Sequence, residues 1–280
     1  MQRNTVTVSD GATLSYLEGG SGHPLVMLPG WSQSAAEFDR QFEALCAVRR
    51  VIALDQRGHG ESQKVGNGYR IQRLAKDLDD VIGALGLQQP DLLGHSMGCS
   101  VIWSWHSMFA HKRPAGKFVM VDQAPAVTAQ ADWSDAQKAD YGCLMPDFTA
   151  LNGFENAVRG APDAAQTKEI IRGMFTAAVA EADLDWIASE NIKLPRDHAA
   201  HLLHDHCILD WRSEIAAIRN PTLVVGAEAS IFSAQSQRWI AERIPGAEVE
   251  IFAANDGGSH FMFFDNPRRF NERVAAFLAG

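Results

Sequence analysis

The residues with the most chemical promise are Gly94-His95-Ser96-Met97-Gly98, a G-x-S-x-G between the apolar pair Leu92-Leu93 and a helical pattern from Met97 to Ala110. A strand that turns sharply into a helix around such a serine holds it under backbone strain. Its hydroxyl is pushed out at the carboxyl end of a sheet, beside the positive end of the following helix. Glycine two residues to either side avoids a clash with the neighbouring strand and helix. The plainer reading is a helix N-cap serine, but the strand and helix flanks favour a nucleophile. The chemistry this predicts is attack by a hydroxyl whose proton a nearby base removes.

Such a serine needs a sheet behind it. Leu25-Val26-Met27-Leu28 closed by Pro29-Gly30, Val51-Ile52-Ala53-Leu54 before a loop holding Gly58 and Gly60, and Phe118-Val119-Met120-Val121 before Asp122 all read as short buried strands. Between them, Ala35 to Cys46, Ile71 to Leu85 and Met97 to Ala110 carry apolar residues at three- and four-residue spacing, clearest in Ile71, Leu74, Leu78, Val81, Ile82 and Leu85. Alternating strands and helices predict βαβ units and a mostly parallel α/β sheet buried on both faces. Thr5 to Val8 and Ala12 to Leu17 read as a hairpin turning at Asp10-Gly11.

From 126 to 210 no strand-like run occurs, and helices are expected over Ala136 to Asp140, Ala164 to Ala180, Leu184 to Glu190 and Arg196 to Leu209. This stretch reads as a helical cap inserted into a core made of 1–125 and 211–280. Strands return at Thr222 to Gly226 and Glu248 to Phe252, with helices from Ser233 to Arg243 and Pro267 to Leu278.

Composition narrows the class. The chain has 280 residues, 46% of them hydrophobic and 21% charged, an ordinary globular balance. Its formal charge of −9 repels phosphate backbones and anionic lipid, so nucleic acid and membrane are not expected partners. The four cysteines, Cys46, Cys99, Cys143 and Cys207, form no CxxC pair, which predicts reduced thiols and no zinc knuckle. With no visible secretory signal, a cytoplasmic location is expected.

Taken together, Leu28-Pro29-Gly30-Trp31, Asp55-Gln56-Arg57-Gly58-His59-Gly60-Glu61-Ser62, the turn at Ser96 and Gly257-Gly258-Ser259-His260-Phe261 resemble, in order and spacing, the α/β-hydrolase fold. The resemblance implies an eight-stranded, mostly parallel sheet flanked by helices, a helical cap and a Ser–His–acid triad. His260 is then the base, because it follows the last strand in a Gly-rich loop that can fold back over the sheet edge. His95 reads as packing or pocket wall and His59 as part of a structural turn. His201, His204 and His206 invite a metal, but His204 and His206 point to different sides of a helix, so none is expected.

The family's commonest pattern puts an aspartate where this chain has Ala229, in Gly226-Ala227-Glu228-Ala229-Ser230. The carboxylate that orients His260 is therefore expected at Asp122, with Glu228 as the other candidate. By the same resemblance, the backbone N–H groups of Trp31 and Met97 form the oxyanion hole. Trp31, His95, Trp133 and Trp186 are candidate substrate contacts. Asp55 and Arg57 are expected to pair with each other, and Cys99 to be buried and inert.

The function expected is hydrolysis of a small apolar ester, lactone or related acyl or C–C substrate by a Ser–His–Asp triad through an acyl-enzyme, with no cofactor. The alternative comes from a second resemblance, to cofactor-independent 3-hydroxy-4-quinolone 2,4-dioxygenases, carried by Pro29-Gly30-Trp31 and by Asp122 with His260. There a His–Asp dyad deprotonates the substrate's hydroxyl. Gly94 and Met97 depart from that pattern.

Overall fold

The computed structural model describes residues 1–280. Its strands are β1 (Gln2–Thr7), β2 (Thr13–Gly19), β3 (Pro24–Leu28), β4 (Arg50–Leu54), β5 (Asp91–His95), β6 (Phe118–Val121), β7 (Thr222–Ala227) and β8 (Glu248–Phe252). They form one eight-stranded sheet in the order β1-β2-β4-β3-β5-β6-β7-β8. β1 and β2 pair as an antiparallel hairpin, and β2 runs antiparallel to β4. Every pairing from β4 to β8 is parallel, as the βαβ pattern predicts.

Alternation along the strands explains the layers. On β3, Val26 and Leu28 face the helices Ile71–Ala84 and Met97–Phe109, while Leu25 and Met27 face Asp39–Cys46 and Pro267–Ala279. The stripe Ile71, Leu74, Leu78, Val81 and Ile82 is buried along its length. At the sheet's edge, Arg57 Nε lies 2.8 Å from Asp77 Oδ2. Asp55 instead pairs with Arg3 at 2.7 Å and accepts the Ala35 N–H at 2.7 Å. Arg57 and Asp55 therefore serve separate anchors rather than each other.

Between β6 and β7 the chain is helical: Asp135–Asp140, Phe148–Arg159, Ala164–Ile171, Glu181–Asn191, Arg196–Cys207 and Arg212–Ala217. An isolated bridge between Ala126 and Asp210 draws the two ends of this insertion together. Two elements differ from expectation. Phe148–Arg159 is a helix despite Gly153, because the Asp147 side chain caps it by accepting the Ala150 N–H at 2.8 Å and its apolar face packs on Arg196–Cys207. The helix expected from Ala164 to Ala180 ends at Ile171 and passes into a 3-10 turn, Arg172–Met174, around Gly173. No helix is long and apolar enough to cross a membrane.

Candidate active site

Ser96 joins β5 to the helix Met97–Phe109 with φ 51° and ψ −125°, a left-handed backbone that costs a non-glycine residue roughly 1–3 kcal/mol. Its neighbours hold it there. The Ser96 N–H donates to the Val121 carbonyl at the tip of β6 at 2.8 Å. A Cβ on Gly94 would lie 2.6 Å from the Cys99 nitrogen, and one on Gly98 would lie 2.3 Å from the Leu28 carbonyl oxygen. Helix and strand thus approach more closely than any side chain permits, which is the local reason for both glycines. The Ser96 side chain makes no capping hydrogen bond, so the N-cap alternative does not describe it.

His260 arrives from the loop after β8. Gly257 turns at φ 71°, and a Cβ on Gly258 would lie 2.4 Å from the carbonyl oxygens of Phe252 and Ala253. The His260 N–H donates to the Met174 carbonyl at 3.1 Å. His95, inside the turn, donates Nε2–H to the His260 carbonyl at 2.9 Å, with the two ring centroids 4.6 Å apart. Phe232 and Phe261 close edge-on around the His260 ring.

Asp122 sits just past β6 with φ 52°, and its side chain is wholly buried. His260 Nδ1–H donates to Asp122 Oδ2 at 2.6 Å, which leaves Nε2 as the unprotonated ring nitrogen. Burial holds the ring pKa down at about 3, so His260 is a free base at neutral pH. Burial also pushes the Asp122 carboxyl well above its usual range, and the Ser230 hydroxyl, which donates to the same Oδ2, pulls the other way. Ser230 is a residue that sequence reasoning passed over. It stands one position after Ala229, and its hydroxyl reaches across the tips of β6 and β7. Glu228 is exposed and turned away, its carboxylate accepting the Ala254 N–H at 3.1 Å, so the alternative acid does not meet His260.

Ser96 and His260 line one cavity of about 50 Å³ together with Gly30, Trp31 and His95. No direct hydrogen bond joins Ser96 to His260, a pairing of the kind that tightens when a substrate is bound. Gly30 is close-packed, for a Cβ there would lie 3.1 Å from the Ser96 Cβ. The next residues are tied to the helical insertion one after another. Trp31 Nε1–H donates to the Ala199 carbonyl at 2.8 Å, Ser32 Oγ–H to the Asn191 carbonyl at 2.7 Å, and Ser34 Oγ–H to Glu190 Oε2 at 2.6 Å. Ser32 itself is left-handed at φ 60°.

Two expected substrate contacts are elsewhere. Trp133 packs edge-on to Tyr141, and the Arg212 guanidinium lies 4.5 Å from each ring. Trp186 stacks on Phe264 beside a separate surface depression. Both fasten the insertion to the core instead of lining the cavity, because each ring packs against another aromatic ring, and Trp133 also against the Arg212 guanidinium. The walls are made by Phe154, Met145, Met174, Leu203, His206 and Phe232 among others. Trp103 and Trp105, behind Ser96, are fully buried in the core. Cys99 is buried too, and burial raises its thiol pKa, so it stays protonated. Among the helix histidines, His204 pairs with Glu155 at 2.5 Å while His206 faces the cavity, and no cluster of ligands able to hold a metal forms.

Residues 23–267 match the alpha/beta hydrolase fold family. A non-heme haloperoxidase of Rhodococcus erythropolis is 35% identical over 128 residues, a stretch that spans 45% of this chain and 46% of that one. A non-heme chloroperoxidase of Kitasatospora aureofaciens is 26% identical along 97% of this chain and 98% of its own. Among solved structures, an esterase from Exiguobacterium antarcticum superposes with a TM-score of 0.88 at 22% identity, covering 99% of both chains. The span of the family match, together with the parallel sheet and the strained serine after β5, gives one conclusion: the chain belongs to the alpha/beta hydrolase fold family.

Proposed function

We propose that this protein hydrolyses a small, largely apolar ester or lactone through an acyl-enzyme. Ser96 Oγ attacks the substrate carbonyl as His260 Nε2 takes its proton, and Asp122 holds the ring in that tautomer and stabilises the imidazolium. The backbone N–H groups of Trp31 and Met97 receive the oxyanion. Met97 is the first residue of its helix, so its N–H has no intrahelical partner. As the intermediate collapses, His260 returns the proton to the leaving alkoxide. Water, deprotonated by the same nitrogen, then clears the acyl group. The helical insertion, 126–210, acts as the cap that shapes the acyl pocket, and four free thiols suit a reducing compartment.

The observation that carries this reading is the 2.6 Å bond from His260 to a buried carboxylate beside the cavity that holds a strained serine. Labelling with a fluorophosphonate tests it. Mass spectrometry should find the adduct on the peptide containing Ser96, at a rate that falls when a short-chain ester is present. An unlabelled Ser96 would refute the proposal.

A second reading is favoured by one feature, the acid's place after β6. A His260–Asp122 dyad can serve as a base for an acidic substrate hydroxyl, as in the cofactor-free oxygenases. Ser96 would then be only a hydrogen-bonding neighbour.

The ties between residues 31–34 and the insertion carry a further expectation. Ser32→Ala removes the bond to Asn191 that holds a left-handed residue next to the oxyanion donor. A displacement of this kind costs up to about a hundredfold in rate, so kcat should drop about ten- to a hundredfold with KM little changed. Steady-state kinetics on a p-nitrophenyl ester decides this. A change confined to KM would mean that the tie shapes binding and not the oxyanion hole.

A further inference from the structure

The part of the cavity wall that the insertion contributes is apolar with one exception, while the core adds the polar side chains of Gln33, His95, Ser96 and His260. On the helix Arg196–Cys207, Leu203, His206 and Cys207 fall on one face at three- and four-residue spacing and line the cavity together. Leu203 and Cys207 are what an apolar wall needs. His206 is only 4% exposed, and its Nδ1 has no hydrogen-bond partner. Its Nε2 lies 3.4 Å from Gln123 Nε2. An amide nitrogen can only donate, so His206 Nε2 accepts and the single ring proton sits on Nδ1. Burial holds the His206 pKa at about 3, which keeps the ring neutral at pH 7. A buried N–H donor without an acceptor is unfavourable unless something brings one.

The rest of the lining says what that acceptor is. No Lys or Arg lines the cavity, so an anionic ligand would find no counter-charge there. Gln123 follows Asp122 directly, so His206 is anchored on the same sheet edge that orients His260. We propose that His206 is a substrate-binding residue whose Nδ1–H holds a neutral acceptor oxygen, as in a ketone or ether, carried by the substrate away from its scissile carbonyl. The preferred substrates are then oxygen-substituted short esters or lactones and not plain hydrocarbon acyl esters. This rests on the cavity being the acyl site of the proposed hydrolase, but its test does not require turnover.

Binding to Ser96→Ala protein, measured by isothermal titration calorimetry, reads the preference directly. The ligand pairs are methyl 4-oxopentanoate against methyl pentanoate, and methyl methoxyacetate against methyl butanoate. In at least one pair the oxygen-bearing ester should bind about tenfold tighter or more, since a site built around a hydrogen bond rejects the analogue that lacks it. Adding His206→Phe should abolish the preference while leaving the hydrocarbon ester within about threefold. Adding His206→Asn, whose amide nitrogen sits close to the Nδ1 position, should retain most of it. Equal affinities in both pairs, binding of neither ligand, a preference that survives H206F, or its equal loss in H206N would each overturn the proposal. Failure of the hydrolase reading is registered separately, by the absence of phosphonate on Ser96.

Discussion

Replacing Asp122 by asparagine is expected to lower kcat by ~10⁴-fold with KM and melting temperature close to wild type. The size follows from the ring's tautomer. In the folded protein, Asp122 Oδ2 accepts from both His260 Nδ1–H and the Ser230 hydroxyl. Turning its NH₂ toward Nδ1 lets an amide donate to both that nitrogen and the Ser230 oxygen and leaves only its carbonyl, not two N–H donors, at the unpartnered Oδ1 position, which moves the imidazole proton to Nε2. The nitrogen facing Ser96 then cannot accept a proton, although every heavy atom stays where it was. Asparagine tolerates the left-handed backbone, φ 52°, that residue 122 adopts, so the fold pays little. Glu228→Gln is the internal control. Its carboxylate only caps the Ala254 N–H on an exposed loop, and kcat should stay within about twofold of wild type. Steady-state kinetics and thermal melts of the two variants decide the matter. Near-normal activity in D122N beside a collapse in E228Q would move the acid to the other loop.

That Asp122 was within reach of sequence reasoning, while Ser230 was not, shows where one-dimensional information runs out. The serine turn is specified locally: Gly94 and Gly98 are required by clashes with atoms a few residues away or on the adjoining strand, so the pattern announces itself. His260 follows from glycines that bend one loop. Asp122 could be named as the partner of His260 because Ala229 has no carboxylate and Asp122 directly follows a recognisable strand. Ser230 acts on Asp122 across the β6–β7 junction, a tertiary relation between residues 108 positions apart, and a serine in a loop carries no mark of it.

The insertion was the least legible region for a related reason. Its helices have apolar faces, but a periodic pattern does not say which partner a face meets. The insertion holds six aromatic residues, and their spacing alone does not say which of them reaches a pocket. Phe154 lines it, whereas Trp133, Tyr141 and Trp186 hold the insertion to the core, Phe148 is 56% exposed and Phe175 stacks on Phe261. His206 went unassigned because a histidine near others on a helix suggested metal first, and only packing separates it from His204. The helix Phe148–Arg159 was hidden by Gly153, whose cost of about 1 kcal/mol is offset by the Asp147 cap and by burial against Arg196–Cys207.

Ser96→Ala separates the two readings of the site, because they assign the same atom very different work. If Ser96 forms the covalent bond, its loss should reduce kcat by ~10⁶-fold, about as much as His260→Ala, since nucleophile and base act as one unit and either deletion disables both. The substitution removes one oxygen at a residue 8% exposed, and the side chain makes no capping bond, so the melting temperature should hold. If instead the His260–Asp122 pair is a base for a substrate hydroxyl, the two substitutions part company. His260→Ala still destroys activity, while Ser96→Ala removes only one hydrogen bond to the substrate anion, a loss of about ten- to a hundredfold. The comparison therefore turns on a ratio of roughly four orders of magnitude between two single-site variants, too wide for differences in expression or stability to imitate. Equal loss in the two variants assigns bond formation to Ser96, and an alanine variant that retains a few per cent of the rate assigns the chemistry to the ring and its carboxylate alone.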